Sequence, residues 1–153
     1  MRDFAARGGW WVVAQGLLLA WIGTSWALWG HGWGTGAVAG GAVLSGLGAA
    51  LMAGGFAALG SRISPFPVPL AETTLVEHGA YRLVRHPIYG GIVMAAAGVS
   101  LADGNWPGLA AAGALGLLFW GKSGFEENRL VARFPSYAAY RGRVRRRLVP
   151  WVV

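Results

Sequence analysis

Residues 79–91 read Gly-Ala-Tyr-Arg-Leu-Val-Arg-His-Pro-Ile-Tyr-Gly-Gly, and here a polar connecting segment turns into an apolar run. Arg85 and His86 stand directly before Pro87, and Tyr89 follows. Proline is favoured at the first position of a helix, because its missing N–H would have no partner there. Charged and hydrogen-bonding groups are costly beside hydrocarbon, so such a cluster at the start of an apolar run indicates a functional site. We therefore predict a helix that begins at Pro87 and carries a binding site at its start.

The composition of the chain is that of a membrane protein rather than of a soluble domain. Of 153 residues, 55% are hydrophobic and only 12% are charged, about half the charged fraction of an ordinary soluble domain. The 26 glycines concentrate in the apolar runs, as they do in membrane helices whose backbones approach closely. The length predicts a single domain, residues 1–153. Cysteine is absent, which excludes disulfides and thiolate metal sites, and we predict no metal site.

Four apolar runs predict an all-α integral membrane fold with four transmembrane helices, at residues 9–30, 36–60, 87–103 and 106–122. The first two runs are long enough to cross a bilayer, whereas the last two are at the lower limit of length. A signal peptide is the alternative for the first run, but its apolar region is too long for one.

The basic residues predict the orientation of these helices. The turns around His31 and Asp103 hold no lysine or arginine, whereas the N-terminus, the central loop and the C-terminal segment hold all 13. By the positive-inside rule, both termini lie in the cytoplasm and the protein lies in the inner (cytoplasmic) membrane. The net charge of +7 is therefore explained by membrane flanks. No recognisable nucleic-acid module accompanies it, and we expect no nucleic-acid partner.

Glycines in the second run predict close helix packing. Gly36 and Gly40 are four residues apart, and Gly46 begins a further set of small residues at the same spacing. This spacing places small residues on one helix face. We expect that face to pack within the molecule rather than to form a dimer.

The segment after the fourth run predicts cytoplasmic amphipathic helices. In its first part, residues that can share one helix face recur at intervals of three or four, which predicts a helix. We expect Pro135 to end this helix and Ser136 to begin a second helix that runs to about Leu148. An arginine-rich tail alone would indicate a lipid anchor. That interpretation does not explain the paired carboxylates Glu126 and Glu127, which anionic lipid would repel.

Two polar clusters should meet on the cytoplasmic side. The helix start at Pro87, together with Arg82 and Arg85, suits a carboxylate or a phosphate. Glu126 and Glu127 suit an ammonium or the hydroxyls of a ribose. A site with both ends matches a zwitterionic ligand such as S-adenosylmethionine, whose adenine or sulfonium could meet tyrosine rings. An ion pair that only locks the tail to the third and fourth helices is the alternative.

Two separate motifs resemble the signature of the membrane methyltransferases related to isoprenylcysteine carboxyl methyltransferase and phospholipid N-methyltransferase. The first motif is Gly79-x-Tyr81-x-x-x-Arg85-His86-Pro87-x-Tyr89-x-Gly91. The second is Glu126-Glu127-x-x-Leu130-x-x-x-Phe134-x-x-Tyr137-x-x-Tyr140-x-x-x-Val144-x-Arg146, followed by Pro150. The resemblance covers residues 79–150 and implies S-adenosylmethionine as cofactor, bound between the helical hairpin and the C-terminal helices.

The motifs and the residue chemistry together give the predicted site. The residues predicted to act in catalysis are Arg85, His86, Tyr89 and Glu127. Those predicted to bind the cofactor are Tyr81, Arg82, Arg85, His86, Pro87, Tyr89, Gly90, Gly91, Glu126, Glu127, Tyr137 and Tyr140.

The resemblance implies methyl transfer to a hydrophobic acceptor that enters from the bilayer. An isoprenoid or prenylcysteine-like carboxylate, a phospholipid amine and an apolar thiol all fit, and membrane lipids are the expected surroundings. The chain has fewer spans before the first motif than the eukaryotic isoprenylcysteine enzymes, which leaves the acceptor open. Two alternatives remain: a reductase that binds NADPH, like the membrane sterol reductases, and a non-catalytic scaffold whose arginine tail binds anionic lipid.

Overall fold

A computed structural model describes residues 8–29, 34–62 and 74–150 of the chain. Over these residues the protein is helical and has no strand, which confirms the predicted all-α class. The α-helices are α1 (Gly9–Trp29), α2 (Thr35–Leu59), α3 (Pro87–Ala102), α4 (Trp106–Arg133) and α5 (Tyr137–Arg143). Short 3₁₀ helices cover Gly60–Arg62 and Gly79–Arg82. The N-terminal basic residues, the turn around His31 and the proline-rich part of the central loop lie outside the described residues.

Two of the described helices, not the predicted four, are long and apolar enough to cross a membrane. They are α1, with 21 residues, and α2, with 25. Helix α3 is apolar but has only 16 residues. Helix α4 has 28 residues because the predicted fourth span and the first tail helix form one continuous helix, and its second half carries the charged residues. The prediction of four spans is therefore wrong by the criterion of length and composition.

Helices α2 and α3 pack closely because glycines face each other across the contact. A Cβ added to Gly41 would lie 2.5 Å from the carbonyl oxygen of Gly98. A Cβ added to Gly48 would lie 2.7 Å from the carbonyl oxygen of Gly91. The glycines on each helix are seven residues apart, so two turns separate successive contacts. Any side chain there would hold the two backbones apart.

The predicted packing face of α2 is wrong over the first part of the helix, whereas Gly54, which continues the predicted set, packs near Ala80, with 3.2 Å between an added Cβ and Cβ of Ala80. Gly36, Gly40 and Gly46 have no atom of another element within 4 Å of an added Cβ. They lie on the outward face, whereas Gly41 and Gly48 lie on the inward one. The four-residue spacing of small residues is present on more than one face of this glycine-rich helix, and spacing alone does not select the inward face.

The hairpin of α3 and α4 forms as predicted around the turn at Asp103. Asn105 caps α4, because its side-chain oxygen accepts a hydrogen bond from the backbone N–H of Gly108 at 2.7 Å. The Asn105 amide also donates to Ser25 of α1 at 3.2 Å. The apolar core lies between these three helices and the C-terminal segment, and it comprises Ile22, Ala96, Ala111, Ala112, Leu115, Phe119 and Leu148.

The tail departs from its predicted form after α5. The first tail helix ends at Arg133, directly before Phe134 and Pro135, as predicted. The second helix ends at Arg143, five residues before its predicted end. Beyond it the chain is extended and runs along the residues that precede α3. The backbone N–H groups of Arg85 and His86 donate to the carbonyl groups of Arg146 and Arg147, at 3.0 and 2.9 Å. In a longer α5 these carbonyl groups would accept hydrogen bonds within the helix. In the extended segment they are available to the residues before α3.

Candidate functional site

Helix α3 begins at Pro87 with His86 at the cap position, as predicted, and the two carboxylates of α4 lie opposite this start. The Nε2 atom of His86 is 3.1 Å from Oε1 of Glu127. The Nδ1 atom of the same ring is 3.8 Å from Oε2 of Glu126. The hydroxyl of Tyr89 donates to Oε2 of Glu126 at 3.1 Å. The structure therefore brings the two sequence motifs together in one cluster, which we call the carboxylate cluster (Arg85, His86, Tyr89, Glu126 and Glu127).

Glu127 is the more buried member of the pair, and its Oε1 atom is held by several cationic side chains. Its side chain is 3% exposed, and its Oε1 atom lies 2.8 Å from Nε of Arg85 and 3.3 Å from Nε of Arg147. Burial raises the pKa of Glu127, but hydrogen bonds from His86 and Arg85 outweigh burial and lower the pKa to about 2. This carboxylate is therefore ionised at neutral pH, and its charge is balanced by neighbouring cations.

Arg85 connects α4 to the C-terminal segment. Besides Glu127, its guanidinium donates through Nη1 to the carbonyl oxygens of Val144 at 2.7 Å and Arg145 at 2.6 Å. The sequence suggested that Arg85 would hold an anion of a ligand. In the structure its Nε and Nη1 atoms donate to the protein, and it fixes the chain that follows α5.

Glu126 has a different environment from its neighbour. Its side chain is 25% exposed, and among the described residues its Oε1 atom has no hydrogen-bond partner. Burial raises the pKa of Glu126, and the nearby His86 ring and the Tyr89 hydroxyl oppose that rise. Of the two carboxylates, Glu126 is the more exposed, so its unpartnered oxygen is the more accessible to a ligand.

Aromatic rings form a stack beside Glu126. The rings of His86 and Tyr89 are 5.5 Å apart and nearly parallel, and Phe119 stacks on Tyr89 at 4.6 Å. The ammonium of Lys122 lies 4.9 Å from the Tyr89 ring centroid and donates to the side-chain oxygen of Gln15 at 2.7 Å. This stack gives the cluster a flat apolar wall with a cation at its edge.

Lys122, Gln15 and Arg147 were not among the predicted site residues. Lys122 is fully buried at the end of an apolar run, and Gln15 is an isolated polar residue within α1. A polar residue inside an apolar helix is a sequence signal for a buried contact, and that signal could have found both. Arg147 could not be distinguished from its neighbours Arg145 and Arg146 by sequence.

The predicted glycines lie next to backbone rather than next to open space. A Cβ on Gly90 would collide with the carbonyl oxygen of Leu148, so the C-terminal segment lies directly on the first turn of α3. The N–H of Gly90 donates to the His86 carbonyl at 3.1 Å. Gly91 contacts the backbone of α2 at Gly48. The start of α3 is thus covered on one side by the protein itself.

The remaining predicted residues form a second group, around α5. Tyr137 and Tyr140 are buried, with ring centroids 5.6 Å apart, and the Tyr140 hydroxyl donates to the Tyr81 carbonyl at 2.8 Å. Burial raises the pKa of all three tyrosines, so they stay protonated at neutral pH. Arg82 is exposed and lines a groove with Tyr140. Within the described residues, no group of three His, Asp or Glu side chains could hold a metal ion.

Comparison with protein families identifies the class to which this arrangement belongs. A family model described as phospholipid methyltransferase matches residues 37–136, about two thirds of the chain. The matched region runs from α2 through the carboxylate cluster to the residue before α5. The chain therefore belongs to the phospholipid methyltransferase family, as its motifs predicted. No curated protein and no solved structure matches the chain.

Proposed function

We propose that this protein is an integral-membrane methyltransferase that uses S-adenosylmethionine and methylates a hydrophobic acceptor. The observation that carries the proposal is the meeting of His86 and Tyr89 with Glu126 and Glu127, across about 40 residues of chain. Family membership supports methyl transfer as the reaction class. The apolar helices α1 and α2 support a location in a membrane.

In this proposal α1 and α2 cross the membrane, and α3 and the apolar half of α4 pack against them. A helix of 16 residues is about 24 Å long, which is short of the roughly 30 Å of a typical hydrocarbon core. Both termini and the carboxylate cluster then lie on the cytoplasmic side, where the basic residues concentrate.

The residues present fit the cofactor. The Oε1 atom of Glu126 has no partner among the described residues and suits an ammonium or ribose hydroxyls. The Tyr89 hydroxyl donates to Oε2 of the same carboxylate and lies beside the open Oε1 atom, where a ligand would meet both groups. When bound, S-adenosylmethionine would supply a methyl group, which the acceptor would take from the positively charged sulfur.

The residues of the cluster divide into ligand contacts and supports. Glu126 and Tyr89 are the proposed ligand contacts. Arg85, His86 and Glu127 act through them as positioning residues, because Nε and Nη1 of Arg85, Nε2 of His86 and Oε1 of Glu127 are already paired with one another or with the backbone. Methyl transfer depends strongly on alignment, so rigid support of the ligand contacts contributes directly to the rate.

The acceptor determines whether a base is needed. A carboxylate or thiolate acceptor is already nucleophilic, whereas an amine must first lose its proton. The raised pKa of Glu126 makes it the best-suited proton acceptor in the cluster. The three acceptor classes that fit are a prenyl or isoprenoid carboxylate, a phospholipid amine and an apolar thiol.

Transfer of radiolabel from S-adenosylmethionine tests the proposal. Membranes containing the protein are incubated with methyl-labelled cofactor, and the label is measured in the lipid, protein and volatile fractions. We expect label in one hydrophobic fraction, its loss in Glu126→Gln and its retention in Asp103→Asn. The control removes a carboxylate at the turn between α3 and α4, at the opposite end of the hairpin. Equal label in membranes without the protein would exclude the proposal. In a separate measurement, a rise in the melting temperature of the protein with NADPH but not with S-adenosylhomocysteine would favour the reductase.

A further inference from the structure

A groove of about 610 Å³, with charged side chains and with Leu75 in its lining, lies between the segment before α3 and the end of α5. We call it the arginine groove, and its polar wall comprises Glu77, His78, Arg82, Tyr140 and Arg143. Val144 also lines it, and the carbonyl of Val144 accepts a hydrogen bond from Arg85. The groove therefore shares a wall with the cluster without containing its carboxylates.

The charges in the groove favour an anion. Arg82 is exposed and has no ion pair or hydrogen-bond partner for its side chain among the described residues. Arg143 pairs with Glu77 through Nη2 only, and its side chain is 62% exposed, so further N–H donors remain available. His78 is exposed between them in the lining. Two arginines against one carboxylate leave the groove with a net positive charge.

The groove also lies beside the end of an apolar helix. The 3₁₀ helix that carries Arg82 rests on the last turns of α2, the longest apolar helix. A Cβ on Gly54 would lie 3.2 Å from Cβ of Ala80, and a Cβ on Gly79 would lie 3.3 Å from Cβ of Ala58. Since α2 ends at Leu59, Arg82 stands within about a turn of the apolar boundary.

We propose that the arginine groove binds the phosphate of an anionic phospholipid headgroup, at a site separate from the methyl-transfer site. Arginine forks match phosphate oxygens in geometry and charge. The basic residues place this end of the protein on the cytoplasmic side, where anionic lipids attract basic segments. The inference goes beyond the proposed function and requires only that the protein lies in a membrane.

Lipid binding by native mass spectrometry tests the proposal. The full-length protein in neutral detergent is titrated with phosphatidylglycerol, and in parallel with phosphatidylcholine, whose ammonium offsets the phosphate charge. A third titration uses inorganic phosphate as competitor. The variant is Arg82→Gln, and the matched control is Arg141→Gln, which removes the same charge from an exposed position of α5 outside the groove lining.

We expect phosphatidylglycerol to bind more tightly than phosphatidylcholine. The Arg82→Gln substitution should weaken binding of phosphatidylglycerol by about tenfold, the effect of losing one charge-assisted contact. The Arg141→Gln control should bind as the wild type does. Inorganic phosphate should compete only weakly, because it lacks the acyl tails of a phospholipid.

Three results would overturn the proposal. Equal weakening of phosphatidylglycerol binding by both substitutions would show that overall charge causes the effect. Equal binding of phosphatidylglycerol and phosphatidylcholine would show that the groove does not select an anionic lipid. Binding of inorganic phosphate without lipid binding would assign the groove to a free anion.

Binding of S-adenosylhomocysteine is measured in the same samples. Its absence alone would overturn the proposed function and leave the groove standing. Its loss in Arg82→Gln, with unchanged lipid binding, would assign the groove to the cofactor.

Discussion

The Nε atom of Arg85 donates to Oε1 of Glu127 at 2.8 Å, across 42 residues of chain. The same guanidinium holds the carbonyl groups that follow α5. A single buried ion pair thus connects the start of α3, the charged half of α4 and the C-terminal segment. The two neighbouring glutamates consequently have different roles, which gives the first prediction.

Glu127→Gln should destabilise the protein more than Glu126→Gln does. The first substitution leaves Arg85, His86 and Arg147 around a neutral amide, and removal of one partner from a buried ion pair costs about 3 kcal/mol. Glu126 is partly exposed, and we expect a cost below about 1 kcal/mol. Melting temperatures in detergent measure both. Equal destabilisation by the two substitutions would contradict the assignment of the support role to Glu127.

Stability should fall on acidification because of Glu127. Its pKa in the folded protein is lowered from 4.5 to about 2, so its contribution is fully present above 4.5. The contribution is lost progressively as the pH falls from 4.5 towards 2, because the unfolded chain binds the proton first. The difference in melting temperature between the wild type and Glu127→Gln should narrow over that range. A difference that does not change with pH would show that the carboxylate charge is not the stabilising feature.

Gly90→Ala should displace the C-terminal segment. The added methyl group collides with the Leu148 carbonyl, which is backbone and cannot rotate away. We expect loss of about 1–3 kcal/mol of stability. Gly113→Ala is the control, because nothing lies within 4 Å of its added Cβ and alanine favours the helix. Limited proteolysis of the C-terminus should be faster in Gly90→Ala alone. Equal rates in the two variants would place the segment elsewhere.

Adjacent glycines of α2 should respond in opposite ways to alanine. At Gly41 the new methyl group meets the backbone of α3 at Gly98, and we expect destabilisation of about 1–3 kcal/mol. At Gly40 it meets open space, and we expect no loss. Thermal unfolding of the two variants in one detergent compares them directly. The reverse order would mean that α2 presents its other face to α3.

Local signals predicted much of the fold. Pro87 begins α3, and Phe134 and Pro135 end α4, because each acts on the few residues around it. Ser136 precedes α5 as predicted, but its side chain makes no cap hydrogen bond. The inward face of α2 could not be predicted, since glycines occupy several faces of that helix and only the partner selects one. The extended C-terminal segment was missed for a related reason: its partners are backbone groups about 60 residues away.

The sequence also located the site but not the roles within it. The two motifs predicted that His86 and Tyr89 would meet Glu126 and Glu127, and the structure brings these four together. Their sequence positions could not show that Glu127 is buried among cations and that Glu126 is partly exposed. That difference arises because adjacent residues on a helix point about 100° apart, so one faces the cations and the other faces the stack. The roles themselves stay predictions until ligand binding is measured.

Calorimetric titration of the purified protein with S-adenosylhomocysteine tests the central claim most directly. We predict that the wild type binds, and that Glu126→Gln weakens binding about tenfold by removing a charge-assisted contact. The Asp103→Asn control should bind as the wild type does. Affinity for the wild type should also fall on acidification, starting above the usual range of a glutamate because burial raises the pKa of Glu126. Absence of binding by the folded wild-type protein, or equal affinity in wild type and Glu126→Gln, would contradict the account.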